Sequence, residues 1–124
     1  MAEPIVFIIR HKIKEGRGED FRLHYRESIP RTLESKPGTS AQLAYENSEH
    51  TQVPLVRVFR DAEALDLQLQ GADERSKITY EFIHPISIEI FGEPKRSTVE
   101  HMQKIASSGV DVSIHPAYLG GFIR

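Results

Sequence analysis

The sequence predicts an α+β domain with elements in the order βαββαβ, the split βαβ or ferredoxin-like arrangement, in which a four-stranded antiparallel sheet carries both helices on one face. Three observations carry this. Ile5–Ile9 is an unbroken apolar run of β-branched residues and one phenylalanine, Phe21, Tyr25, Ile29 and Leu33 recur every four residues, and Ile86, Ile88 and Ile90 alternate with Ser87, Glu89 and Phe91. A helix and a strand are expected beyond that core, so the 124 residues form one domain over 1–124, with a core at 4–92 and an extension at 95–124. A chain of this length buries enough surface to fold without disulfides or metal staples.

The elements follow in order. The run from Ile5 to Ile9 predicts a central strand buried on both faces. It continues through Arg10, His11, Lys12 and Ile13 to Gly16 and Gly18, where Glu19 and Asp20 favour a helix N-terminus. That helix extends to about Ser35, with a kink expected at Pro30, and Pro37-Gly38 ends it. Ala41–Glu46 and Val53–Arg60 predict a hairpin, and Pro54, lacking a ladder N–H, places the start of its second strand on an edge or at a bulge. Asp61 is a good N-cap for a second helix carrying Ala62, Leu65 and Leu69. Gly71 interrupts that helix, and Asp73–Phe82 resumes it.

On the strand at Ile86–Ile90 the isoleucines are expected to face the helices, leaving Ser87, Glu89 and Phe91 on a face that a second copy of the chain would cover. Ser97 and Glu100 have capping-box spacing at the head of a third helix with Val99, Met102, Ile105 and Ala106 on one side. Val110, Val112 and Ile114 then predict a fifth strand, and Tyr118, Leu119, Phe122 and Ile123 keep the tail apolar. That tail is expected to act as an arm, 110–124, paired with the partner's sheet.

Composition narrows the function. Sixteen basic and eighteen acidic residues give a net charge of −2, no basis for nucleic acid or an anionic membrane as a partner. Without cysteine there is no disulfide or thiol chemistry, and without a signal-peptide pattern a cytoplasmic setting is the simple expectation. No apolar run approaches the roughly 20 residues of a membrane-spanning helix. The six histidines show no His-Glu-x-x-His spacing, so no metal site is expected, and no haem, flavin or other cofactor motif is present.

Five residues remain as candidates. His24 lies beside the buried stripe of the first helix and is a candidate base if it points between helix and sheet, with an ordinary half-buried helix histidine as the alternative. His84 precedes a proline at a strand boundary and is a second candidate base, although an ordinary backbone-satisfying role is open to it. Arg57 stands between Val56 and Val58 in a buried strand, where a guanidinium requires either Glu46 from the adjoining strand or an anionic ligand. Tyr45 and Tyr80 each offer a phenol on an apolar body, suited to stacking on an aromatic substrate.

The βαββαβ order, the Lys14-Glu15-Gly16 turn, the Lys36-Pro37-Gly38 step and the Phe59–Leu65 strand-to-helix junction resemble the antibiotic biosynthesis monooxygenase family, over roughly residues 4 to 92. The resemblance implies a dimeric α+β barrel, a homodimer with its sheets packed face to face, and oxidation of quinol-like or polycyclic aromatic molecules by oxygen without a cofactor. It also implies an Asn on the first strand and a Trp or His on the second helix. Those neighbourhoods hold Arg10 and His11, and Leu67, Gln68 and Leu69, so no catalytic set carries over. The alternative on the same fold is a non-catalytic dimer that binds a small ligand or serves in a stress response.

Overall fold

The computed structural model describes residues 3–124. Its elements are β1 (Ile5–Ile13), α1 (Gly18–Ser35), β2 (Thr39–Ala44), β3 (Gln52–Phe59), α2 (Ala62–Leu69), α3 (Ala72–Thr79), β4 (Ile83–Phe91), α4 (Arg96–Ser107) and β5 (Asp111–His115). The strands form one five-stranded sheet in the order β2-β3-β1-β4-β5. It is a mixed sheet rather than the purely antiparallel one expected. β2, β3, β1 and β4 pair antiparallel, and β5 joins β4 in parallel. Among the described residues no helix is long and apolar enough to cross a membrane.

β1 lies at the centre of the sheet, but one of its faces carries most of the burial. Ile5, Phe7, Ile9, His11 and Ile13 point to the helix side and are buried, while Val6 and Ile8 are half-buried on the other. The helix-side row continues through Val53, Leu55 and Phe59 of β3 and Ile88 and Ile90 of β4, with Leu65 of α2 and Met102 of α4 closing the core from above.

β4 holds a register shift opposite Arg10 and His11, where Arg10 pairs with Ser87 and His11 with Pro85. Ile86 is the extra residue of this bulge. Without it, the two-residue period would put Ile83 and Ile88 on opposite faces. With it, both are buried on the helix side and Ile86 is turned outward, 38% exposed. The isoleucines of this strand therefore do not share one face as expected, because the alternation visible in the sequence crosses a bulge.

β3 is an interior strand, not an edge. Pro54 is tolerated there because β2 ends at Ala44, paired with Leu55, and only the Tyr45 N–H continues toward the Pro54 carbonyl. Asp61 caps α2 as expected, its side chain accepting from the Ala64 N–H at 2.8 Å. α1 runs through Pro30 as one helix. The capping box at Ser97 and Glu100 does not form. The Ser97 and Thr98 hydroxyls donate instead to Asp66 of α2, at 2.6 and 3.1 Å, and bind α4 to α2.

The arm expectation is corrected for its first half. β5 pairs with β4 of its own chain, with Ile114 opposite Ile90 and Val112 opposite Ile88, because that edge offers open backbone groups and a place for the half-buried Val112 and Ile114. Residues 116–124 are exposed.

Two glycines mark close approaches. A Cβ at Gly38 would lie 2.6 Å from the Ala64 Cβ, and one at Gly92, where φ is +114°, would lie 2.9 Å from Ile5 Cγ1 and 3.2 Å from the Pro4 carbonyl. Gly38→Ala and Gly92→Ala should each destabilise the fold by about 1–3 kcal/mol through crowding, with added backbone strain at Gly92. Urea unfolding midpoints check this, and unchanged midpoints would remove both glycines as packing constraints.

Candidate functional site

On β3, Val53, Leu55 and Phe59 face the helices, and a two-residue period carries Arg57 to the same side. Its Nε donates to Gln42 Oε1 of β2 at 2.8 Å. That contact fixes the Gln42 amide, whose Nε2 is turned to the Tyr25 hydroxyl of α1 over a long 3.5 Å. Burial pushes the Arg57 guanidinium down to about 10, with the charge of Arg75 adding to the effect and Tyr25 opposing it. Among the described residues Arg57 makes no ion pair. The Glu46 pairing open to it is not formed, because both Glu46 oxygens accept from Arg22, each at 2.8 Å, which holds the Glu46 carboxyl below its usual range.

His11 lies on the same side of the sheet, 6% exposed. Its Nδ1 is 3.2 Å from the Val53 carbonyl, which can only accept, so Nδ1 carries the proton and Nε2 is left as an acceptor. Burial pushes its pKa down to about 4. The bond to Val53 opposes this, and the charges of Arg57 and His84 add to it.

The roof over these groups is incomplete. Of the 18 residues of α1 only Phe21 is buried, and Ile29 and Leu33 are 42% and 78% exposed. The C-terminal end of α1 is held by the Lys36 ammonium, which donates to the Leu67 carbonyl of α2 at 3.1 Å. Gln68 of α2 is buried and accepts from the Thr39 hydroxyl at 3.3 Å. Arg75 of α3 donates to the carbonyls of Gln68 and Gln70. Arg57, Gln42 and Tyr25 thus form a hydrogen-bonded chain from β3 through β2 to α1.

The other candidates stand apart. His24 is half-buried, its Nε2 3.1 Å from the Thr79 hydroxyl and its ring tilted over Phe82 at 5.4 Å, so it ties α1 to α3. His84 is exposed opposite Lys12 and lines an open groove of about 550 Å³ with Lys14 and His50. A second groove of about 420 Å³, lined by Glu3, Asp61, Glu63 and Glu93, opens at the other end of β1. Tyr45 is 57% exposed and follows Leu43 on the side away from the helices, and Tyr80 is 37% exposed at the end of α3, where its carbonyl accepts from Lys14. Sequence reasoning did not single out His11, Tyr25 or Gln42 as site residues. No cluster of three or more metal-ligating side chains occurs among the described residues.

The fold is similar to that of solved structures that include antibiotic biosynthesis monooxygenase-like proteins. No protein-family model and no curated protein matches the chain by sequence. Among solved structures, MupZ from Pseudomonas fluorescens superposes with a TM-score of 0.75 at 19% identity, covering 98% of this chain and 95% of that one, so the match takes in α4 and β5. SnoaB from Streptomyces nogalater, a cofactor-independent oxygenase, matches with a TM-score of 0.63 at 13% identity over 76% of this chain and 96% of its own. A putative antibiotic biosynthesis monooxygenase from Bacteroides thetaiotaomicron matches with a TM-score of 0.57 at 18% identity, covering 65% and 80%.

The histidine gives a prediction. His11 titrates near 6.5 when unfolded and near 4 when folded, so the unfolded chain binds the proton first. Stability is full above about pH 6.5 and falls by about 3 kcal/mol as the pH drops to about 4. His11→Gln should flatten that part of a stability–pH curve measured by urea unfolding; an unaltered slope would show that another group carries it.

Proposed function

We propose that this chain is a homodimeric, cytoplasmic monooxygenase of a quinol-like or polycyclic aromatic molecule that works without metal or flavin, acting as a single domain over its length. The observation that carries the proposal is Arg57, a guanidinium on the helix side of the sheet with no carboxylate partner among the described residues, bonded to an amide that turns to a tyrosine. Oxidation by oxygen without a cofactor requires the substrate to become an electron-rich anion. The site therefore needs a cation that is not already neutralised, held where water is scarce.

In the proposed reaction a base removes an acidic proton from the substrate, and Arg57 holds the resulting oxyanion. The anion passes electrons to oxygen, one oxygen atom enters the substrate, and the other leaves as water. His24 is the proposed base; its Nε2, 3.1 Å from the Thr79 hydroxyl, would have to turn from that contact to serve a substrate held at Arg57. His84, exposed in the open groove, would serve only a ligand bound there. Tyr80, at the end of α3, is the proposed aromatic contact; Tyr45 faces away from the helices and would meet only a ligand on that face. The fold shared with SnoaB supports the reading at the level of architecture.

The homodimer has its own support. Val6 and Ile8 of β1, Val56 and Val58 of β3, Leu43 of β2 and Phe91 of β4 share the face away from the helices, and Leu43 is 52% exposed. A second copy laid on this face would cover it.

Two measurements test these proposals. An oxygen electrode should record uptake with a dihydroxyanthrone or a substituted hydroquinone, and Arg57→Met should lower kcat/KM by about 100-fold or more, the range for removing one stabilising donor from a developing anion. His24→Ala should slow the same reaction. No uptake above the blank would leave the non-catalytic ligand-binding reading in its place. Light scattering at tens of micromolar should give twice the chain mass, and Leu43→Lys should shift it toward the monomer; a monomer without the substitution would end the dimer proposal.

A further inference from the structure

We infer that the open groove where β1 runs out is a binding site for a small phosphate ester, its phosphate held by Lys12 and Lys14 beside His50 and His84 and its organic body laid along the groove. The site is separate from Arg57 and does not depend on the oxygenase reading.

The groove comes first. The end of β1, the turn into α1, the β2–β3 loop and the start of β4 meet around a space of about 550 Å³, within the roughly 300–1,000 Å³ of small-molecule sites. An inorganic ion would fill only a fraction of it. The lining surface is mainly apolar, with Ile13 and the stems of the lysines contributing, so it accommodates an apolar body beside a charged end. About 13 Å of strand separates Lys12 from Ile8, which sets the groove beyond the apolar patch proposed to pair.

Its donors are in place before a ligand arrives. Lys12 and His84 stand directly opposite each other where β1 pairs with β4, with their Cβ atoms about 5 Å apart. Neither side chain makes an ion pair among the described residues. Lys14 gives one of its three ammonium hydrogens to the Tyr80 carbonyl, which positions it and leaves two to donate. On the β2–β3 loop, His50 Nδ1 faces Glu46 Oε1 at 3.4 Å and leaves Nε2 for a ligand. The Thr51 hydroxyl, also in the lining, accepts from Asn47 Nδ2 at 2.8 Å, so its own hydrogen is free to donate. Asn47 accepts in turn from the N–H groups of Thr51 and Gln52, at 2.8 and 2.9 Å, which fixes the loop and holds His50 at φ +58°.

The surrounding charges decide the kind of anion. Among the described residues Glu15 is the one carboxylate of the lining. Glu46 is engaged by Arg22 and His50, and Asp20 by Arg17, while Glu19, Glu49 and Glu81 stand exposed on the adjoining segments. Two ammonium groups and two imidazoles against one carboxylate make the groove the cationic spot, and the acids around it keep that charge local. Local charge suits a small molecule and not a long polyanion. No arginine lines the groove, so the planar fork that best grips a carboxylate is missing. Ammonium and hydroxyl donors converging from separate elements suit the tetrahedral oxygens of a phosphate.

Calorimetric titration at low ionic strength with 1-naphthyl phosphate, 1-naphthoate and inorganic phosphate tests this. The phosphate ester should bind at least about tenfold more tightly than either of the others. Lys12→Met and Lys14→Met should each weaken it about fivefold or more, as loss of a charge-assisted contact implies. The Lys12 ammonium holds no acid in the fold, so Lys12→Met should leave the urea unfolding midpoint in place and read binding alone. Amide NMR shifts locate the bound ester and should move at Gly16, Gly18, Thr51 and His84. No binding at millimolar concentration, naphthoate held as tightly as the ester, or an affinity untouched by both lysine substitutions would overturn the inference. Inorganic phosphate bound as tightly as the ester would make the groove a site for an adventitious ion only and overturn it as well, and so would shifts centred on Arg57 and Gln42 in place of the groove.

Discussion

The placement of Arg57 is set by the period of a strand. Phe59 is fully buried and Leu55 nearly so, on the helix side of β3, and successive side chains of a strand point to opposite faces. The residue between those two in register must share their side. Sliding β3 by one position would rescue the guanidinium from burial but would expel Val53, Leu55 and Phe59 from the core together. Three large apolar side chains outweigh one charge, so the charge goes in and the structure accommodates it through Gln42.

The exposure of the second half of α1 follows from where the helix finds its contacts. Phe21 inserts into the smaller apolar cluster with Ile13, Val53 and Ile83, and Tyr25 packs against both clusters. Beyond Tyr25 the stripe continues as Ile29 and Leu33, but α2 and α4 already cover the larger cluster through Leu65 and Met102. The second half of α1 has no apolar floor to sit on and is held by the Lys36 contact to α2. The helix is pinned near its start by packing and at its end by a hydrogen bond.

Much of this was legible in the residues, for reasons that also explain what was not. Strand and helix order followed from runs and periods, which are local. Arg57 stood out because a cation between Val56 and Val58 contradicts its surroundings, and such contradictions survive without knowledge of partners. The identity of its partner did not, since Glu46 meets Arg22, 24 positions away in the chain, and only the three-dimensional arrangement decides which cation it meets. His11 looked like part of the polar end of a strand because Arg10 and Lys12 flank it, although its parity with Ile9 and Ile13 already assigned it to the core side. The bulge at Ile86 was hidden by its own regularity, as an extra isoleucine beside Ile88 and Ile90 extends an alternation that the backbone breaks. The apparent capping box at Ser97 failed because Asp66, distant in sequence, offered a charged acceptor to the same hydroxyl.

The C-terminal extension belongs to the argument about the site as much as to the stability of the sheet. β5 covers the edge of β4 and gives Val112 and Ile114 a place beside Ile88 and Ile90, which fixes α4 across the end of the helix layer. α4 in turn grips α2 through Ser97 and Thr98 on Asp66, with Thr98 itself buried. Two residues beyond Asp66, the Gln68 carbonyl receives Arg75, and the Gln68 side chain accepts from Thr39 at the head of β2. The extension therefore reaches the surroundings of Arg57 through one short path, from β5 to α4, to α2, and to the exposed Arg75. Anchoring α2 from behind fixes the carbonyls that receive Arg75, so this guanidinium is held by backbone geometry rather than by another side chain.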